Sequence, residues 1–183
     1  MPAKALALAV VAVLAAASCG TASPGGVEIP KAAGEVSSTP AQAPSAPPMA
    51  LKDVPTGYGT SRSAPADISA ALAKARADHR PVLLDFGANW CPSCKTMLRV
   101  YRDSSVLALL GQYHLVMVDV GRFDRNLATA HRYGLNLERT GIPAFVVLAP
   151  SGEVKVVTGN DAVGGKDAAT PRRVTTFLGH WWR

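Results

Sequence analysis

Cys91 and Cys94 are the residues whose type and spacing most plainly point to chemistry. They lie in DFGANWCPSCKTM, residues 85–97, behind Trp90 and in front of Lys95. Two thiols at that spacing can anchor a haem, hold a metal or make and break a disulfide. Covalent c-type haem attachment needs a histidine directly after the second cysteine. Lys95 occupies that position. A structural zinc site needs four ligands, usually two such pairs. No cysteine follows Cys94, and His114, His131 and His180 stand apart from one another, so no metal site is assigned. Redox chemistry fits the local pattern better. The pair follows a short apolar run, PVLLDFG, and opens a helix, with Pro92 suited to its first turn. Cysteines three apart share one helical face, which lets them join with little strain. Cys91 at the helix start faces unpaired N–H groups and the positive end of the helix dipole, and both stabilise a thiolate. Cys94, one turn inside, is expected to be more buried and to attack second.

Asp85 sits inside the same apolar run. A carboxylate there is costly to bury without a purpose. From the strand that leads into the cysteine helix it can lie under Cys94 and exchange a proton with it. Burial should raise its pKa toward the working pH.

The elements around these residues alternate. Ile68, Ala71, Leu72 and Ala75 lie at helical spacing after Asp67, which is read as an N-cap. PVLLDFG is a doubly covered strand. Helices follow over 92–101 and 104–110, then a second buried strand, HLVMVDV. A short helix stops at Gly134, and AFVVLAPSGEVKVVTG reads as a hairpin. Thr170 caps a last helix with Pro171 in its first turn. Alternation first and a hairpin last describe an α/β sandwich with a mixed sheet.

The first 65 residues read differently. Lys4 followed by ALALAVVAVLAAAS is a charged start and an apolar stretch. That stretch is shorter than the roughly 20 residues of a membrane span and reads as an export signal over residues 1–18. LAAASCG resembles the lipobox of bacterial lipoproteins, with Ala16 where a leucine is usual. In that family the cysteine, here Cys19, is acylated and anchors the mature chain to the membrane. Three cysteines are an odd number for an exported protein. A lipid on Cys19 leaves one pair, in a compartment where disulfides persist. Residues 19–65 are rich in Pro, Ala, Ser and Gly and read as a disordered tether, with the folded domain over 66–183. The net charge of +6 contains no dense basic run, which argues against nucleic-acid binding.

With these residues in hand, the domain resembles the thioredoxin-like family. Trp90-Cys91-Pro92-Ser93-Cys94-Lys95 resembles that family's Trp-Cys-Gly-Pro-Cys-Lys. Asp85 stands six residues before the first cysteine, as the buried aspartate of thioredoxins does. Gly141-Ile142-Pro143 resembles the Gly-Ile-Pro that holds their cis-proline. The stretches VGRFDRNLATAHRYG and GIPAFVVLAPSGEV are similar to exported members. The resemblance implies a three-layer α/β/α sandwich and a thiol–disulfide oxidoreductase that needs no cofactor. Cys91 would be the nucleophile, Cys94 the resolving thiol and Asp85 the proton acceptor. Trp90, Ile142 and Pro143 would contact substrate. Ile142 before the proline resembles reducing thioredoxins. The implied partners are disulfide-containing proteins and, as electron donor, a membrane thiol reductase. Two departures stand out. Pro92-Ser93 replaces Gly-Pro, and the lysine that thioredoxins place near the aspartate is matched to Leu115. The competing expectation is a binding or chaperone module that uses the same fold to hold clients or a metal ion.

Overall fold

The computed structural model describes residues 46–163 and 169–183. Cys19, the export signal and the tether up to residue 45 lie outside the described residues. No helix among the described residues is long and apolar enough to cross a membrane.

The order is α1 (Ala64–Asp78), β1 (Val82–Gly87), α2 (Pro92–Val100), α3 (Ser104–Leu110), β2 (His114–Asp119), α4 (Leu127–Arg132), α5 (Leu137–Thr140), β3 (Ala144–Leu148), β4 (Val154–Thr158) and α6 (Pro171–Trp181). The strands form one sheet in the order β2-β1-β3-β4. β1 runs parallel to β2 and antiparallel to β3, and β3 runs antiparallel to β4. The two central strands are buried along their whole length. This is why VLLDFG and AFVVL are near-continuous apolar runs rather than alternating ones.

Strand periodicity divides the core in two. Val82, Leu84 and Phe86 face one side, with Ile68 and Ala75 of α1 and the apolar residues around α4 and α5. Leu83 faces the other side, with Met97, Val100 and Tyr101 at α2, Leu110 of α3 and Val174, Phe177 and Leu178 of α6. Helices on both faces of a mixed sheet make the three-layer α/β/α sandwich. Because β1 alternates, Asp85 points to the same side as Leu83, toward α2.

Two boundaries differ from the sequence reading. The N-cap of α1 is Ser63 rather than Asp67. Pro65 can enter the first turn because its missing N–H would be unpaired there anyway. Asp67 sits within that first turn and takes two 2.7 Å hydrogen bonds from Arg62. The second difference is larger. Residues 46–63, read as the end of the tether, pack as a strap on the domain. The Gln112 side chain accepts from the Ala46 N–H at 3.2 Å and donates to its carbonyl at 2.7 Å. The Met49 N–H donates to the Leu107 carbonyl at 3.0 Å. Val54 and Tyr58 are buried. Few but large apolar side chains are enough to fix an otherwise small-residue segment.

Glycines let the strap approach closely. A Cβ at Gly111 would stand 2.1 Å from the Pro47 carbonyl oxygen, and one at Gly87 would stand 2.3 Å from the Tyr58 ring. Gly87→Ala should therefore push Tyr58 off the end of β1. The expected cost is about 1–3 kcal/mol, as for other overpacked sites. A lower denaturant midpoint at unchanged slope is the expected result, and an unchanged midpoint would show that the strap yields freely.

Candidate active site

β1 ends at Gly87, and the chain turns through Ala88, Asn89 and Trp90 into α2. Cys91 is the N-cap of that helix. Its Sγ accepts the Cys94 N–H at 3.2 Å and lies 3.7 Å from the Ile142 carbonyl oxygen. Both cysteines are free thiols. Cys91 is 4% exposed and Cys94 is 0% exposed, so the first can be reached from solvent and the second cannot. Pro92 and Ser93 between them are exposed. Burial pushes the Cys94 thiol up, and its hydrogen bond with Cys91 adds to the rise.

The loop before β3 completes the rim. Ile142 packs against the cysteine cluster, Pro143 is buried, and the peptide between them is cis. Trp90 is 43% exposed but not free. Its indole N–H donates to the Gly121 carbonyl at 2.7 Å. Phe123 meets its ring edge-on at 6.2 Å, and the Arg122 guanidinium lies 5.8 Å from the ring centroid.

Beneath the dithiol lies Asp85, 0% exposed. One oxygen accepts the Tyr58 hydroxyl at 3.0 Å and the other accepts the Tyr101 hydroxyl at 2.8 Å. Burial pushes the carboxyl up from its ordinary 3.8 to about 7, while the two phenol hydrogen bonds hold it down against a larger rise. Both phenols are themselves pushed up, first by burial and then by the carboxylate charge. They remain protonated donors over the working pH range. The ladder places Met117 directly across from Asp85 and Leu115 across from Leu83. Met117 thus lies directly across from the aspartate, with Leu115 two residues along the same strand, and neither carries charge.

The structure brings Asp85, Cys91, Cys94, Ile142 and Pro143 into one site with Trp90 at its rim. Sequence reasoning missed Tyr58, Tyr101 and Asn89. Tyr101 had a usable signal, since Cys94, Met97 and Tyr101 fall on one helical face. Tyr58 had a weaker one, the change from small residues to LKDVPTGYG just before α1.

Comparison with known proteins agrees with this geometry. A family model described as thioredoxin-like matches residues 63–150. The thiol:disulfide interchange protein DsbD 1 of Pseudomonas aeruginosa is 41% identical over 108 residues, which cover 55% of this chain and 17% of that protein. DsbD 2 of the same organism is 34% identical over 126 residues, covering 65% of this chain and 19% of its own length. The chain therefore spans less than a fifth of these curated relatives. Among solved structures, a disulphide isomerase from Xylella fastidiosa Temecula1 is 32% identical, with a TM-score of 0.62. The match covers 67% of this chain and 94% of that one.

The Asp85 environment has a consequence for stability. The folded carboxyl keeps its proton to about pH 7, whereas the ordinary value is 3.8. Between these values the folded state binds more protons than the unfolded state. Stability is then full below about pH 4 and falls as pH rises through 7. Asp85→Asn removes that dependence, and its amide can still accept from one phenol and donate to the other. The variant should be more stable than the parent at pH 8, by on the order of 4 kcal/mol, and the difference should vanish near pH 4. Denaturant titrations at the two pH values measure it. A gap of equal size at both pH values would contradict the buried ionisation.

Proposed function

The chain belongs to the thioredoxin-like family of thiol–disulfide oxidoreductases, and we propose that it reduces protein disulfides outside the cytoplasmic membrane through its Cys91–Cys94 dithiol. The observation that carries this reading is the stacked arrangement of a helix-capping thiol, a buried second thiol and a buried carboxyl below them. A binding or chaperone module would have no use for the carboxyl.

The reaction follows from the order of exposure. The Cys91 thiolate attacks one sulfur of a substrate disulfide. That S–S bond breaks, and the departing substrate sulfur takes a proton from solvent. A mixed disulfide now joins Cys91 to the substrate. Cys94 gives its proton to Asp85 and attacks Cys91 Sγ. The second substrate sulfur leaves as a thiolate and takes a proton from solvent, and a Cys91–Cys94 disulfide remains. Two electrons have passed to the substrate. Beside the dithiol, the backbone at Ile142-Pro143 offers an edge on which an extended substrate segment can pair. Trp90 supplies an apolar face at the rim.

Reduction rather than oxidation is favoured by Ile142 before the proline, a feature resembling reducing thioredoxins. Continued turnover then needs a thiol reductant outside the cytoplasm, and a membrane thiol reductase is the fitting class. The export signal over residues 1–18 and a lipid on Cys19 would hold the domain at the outer face of the cell membrane. The names of the Pseudomonas relatives, thiol:disulfide interchange proteins, are consistent with this chemistry.

Insulin reduction tests the activity, and Cys91→Ser should abolish it. Asp85→Asn should slow resolution of the mixed disulfide by about 10²–10⁴, the usual span for general acid–base catalysis. Attack by Cys91 should change less, because Asp85 is read as the acceptor of the Cys94 proton and not of the Cys91 proton. Single-turnover rates for the two steps decide the role, and equal slowing of both would refute it. Cell fractionation tests the anchor. Cys19→Ser should move the protein from the membrane to the soluble fraction, and unchanged membrane association would exclude a lipid on Cys19.

A further inference from the structure

We propose that Tyr58 is a positioning residue of the dithiol site: from the strap it fixes the Asp85 carboxyl and sets the pH at which that group exchanges a proton with Cys94. The proposal rests on the reading of Asp85 as proton acceptor. It adds a residue that lies outside positions 63–150, the part matched by the family model.

Tyr58 is held through its backbone, its ring and its hydroxyl. The Asn89 side chain accepts the Tyr58 N–H at 2.9 Å and donates to the Tyr58 carbonyl at 2.9 Å. One amide thus binds the Tyr58 backbone in the way a neighbouring strand would. Asn89 itself lies two residues before Cys91, so the strap is tied directly to the loop that carries the dithiol. Gly87 leaves the space that the Tyr58 ring fills, and Gly57 leaves space for the Asn89 amide, which a Cβ there would meet at 2.7 Å. Tyr58 is 2% exposed and shares a cluster with Cys91 and Cys94. A side chain that only covered the site would not need its backbone clamped and its hydroxyl aimed at a carboxylate.

α2, the strap, β2 and β3 surround Asp85. α2 supplies Cys94, and Tyr101 follows at its C-cap. The strap supplies Tyr58. β2 and β3 place Met117 and Phe145 beside the aspartate in the ladder. Among the described residues no cation pairs with the carboxyl, and the two phenols favour its ionised form. A hydrogen bond to the charged form lowers a pKa, and its loss raises it. Tyr58→Phe keeps the ring and removes that bond. The carboxyl should then hold its proton to higher pH, and resolution should need higher pH as well.

The test uses the full chain, reduced, with ¹³C-labelled aspartate carboxyls. The Asp85 signal is identified by its loss in Asp85→Asn. Tyr58→Phe should move the Asp85 midpoint upward by about one to two pH units, the span expected for one hydrogen bond to a charged group. Asn89→Ala, which frees the strap without touching the carboxyl, should move it in the same direction by less. The pH profile of mixed-disulfide resolution should follow. An unmoved Asp85 midpoint in both variants overturns the proposal, as does a uniform rate loss at all pH values with the midpoint unchanged. If Tyr58→Phe does not fold, Asn89→Ala decides alone. A midpoint that moves while the resolution profile stays fixed leaves Tyr58 holding Asp85 and refutes the proton-acceptor reading instead.

Discussion

A buried carboxylate, with no cation beside it among the described residues, is the constraint around which this domain is arranged. Desolvation alone would keep Asp85 neutral well beyond physiological pH. Two phenols bring its titration back to the neutral range. Each must come from a different direction, because each carboxylate oxygen takes one. Tyr101 arrives from the end of α2, on the helical face that also carries Cys94 and Met97. The other oxygen takes its hydrogen bond from outside the sandwich core. The strap supplies it, and its route explains features that otherwise look unrelated. Gly87 ends a buried strand without a side chain, Asn89 turns its amide toward the chain outside, and Val54 anchors the segment ahead of Tyr58.

The same economy governs the dithiol. α2 is nine residues long, and its N-cap and first turn carry both thiols. Cys91 caps it, so one thiol meets the free N–H groups at the helix start. Cys94 is one turn inside and fully covered. On the proposed mechanism, the different roles of two identical side chains come from that single turn. Trp90, just before the cap, is held by the loop after β2 through its indole N–H and Phe123. Phe123 adopts a left-handed backbone, φ 64°, which places its ring edge against the indole. The rim on which a substrate would rest is thereby tied to the sheet rather than left to move independently.

Much of this was legible in the residues. Cys91, Cys94 and Asp85 announce themselves by spacing and by a charge in an apolar run. The buried strands and the Thr170-Pro171 helix start follow from periodicity and capping, because those signals are local. Three features were not legible, each for a physical reason. The position of Met117 across from Asp85 depends on strand register, which the spacing of residues along one strand does not set. The N-cap at Ser63 lost to Asp67 in the sequence reading, because an acidic residue suits the first turn as well as the cap. The strap was hidden by composition. A stretch rich in small residues and proline reads as tether, yet Val54, Tyr58 and one clamping amide hold it. Average composition cannot register two anchors whose partners lie far along the sequence, as Asp85 does from Tyr58.

On the proposed mechanism, neutral donors around Asp85 serve a purpose that a cation would not. Before resolution the buried site holds one negative charge, on the carboxylate, with Cys94 protonated. When the proton passes from Cys94 to Asp85 the charge moves to sulfur but does not grow. Deprotonating Cys94 to water instead would leave two negative charges in one low-dielectric space, and the influence of Asp85 on Cys94 already opposes this. Attack on Cys91 then passes the charge to the departing substrate sulfur, and the site is left neutral, with Asp85 protonated. A lysine at this point would hold the carboxylate in its ionised form and resist the transfer. Phenols favour the ionised form only by a hydrogen bond and release it without stranding a charge of their own. A carboxyl titrating near neutrality can both take the proton and return it to solvent afterwards, which is what repeated turnover requires.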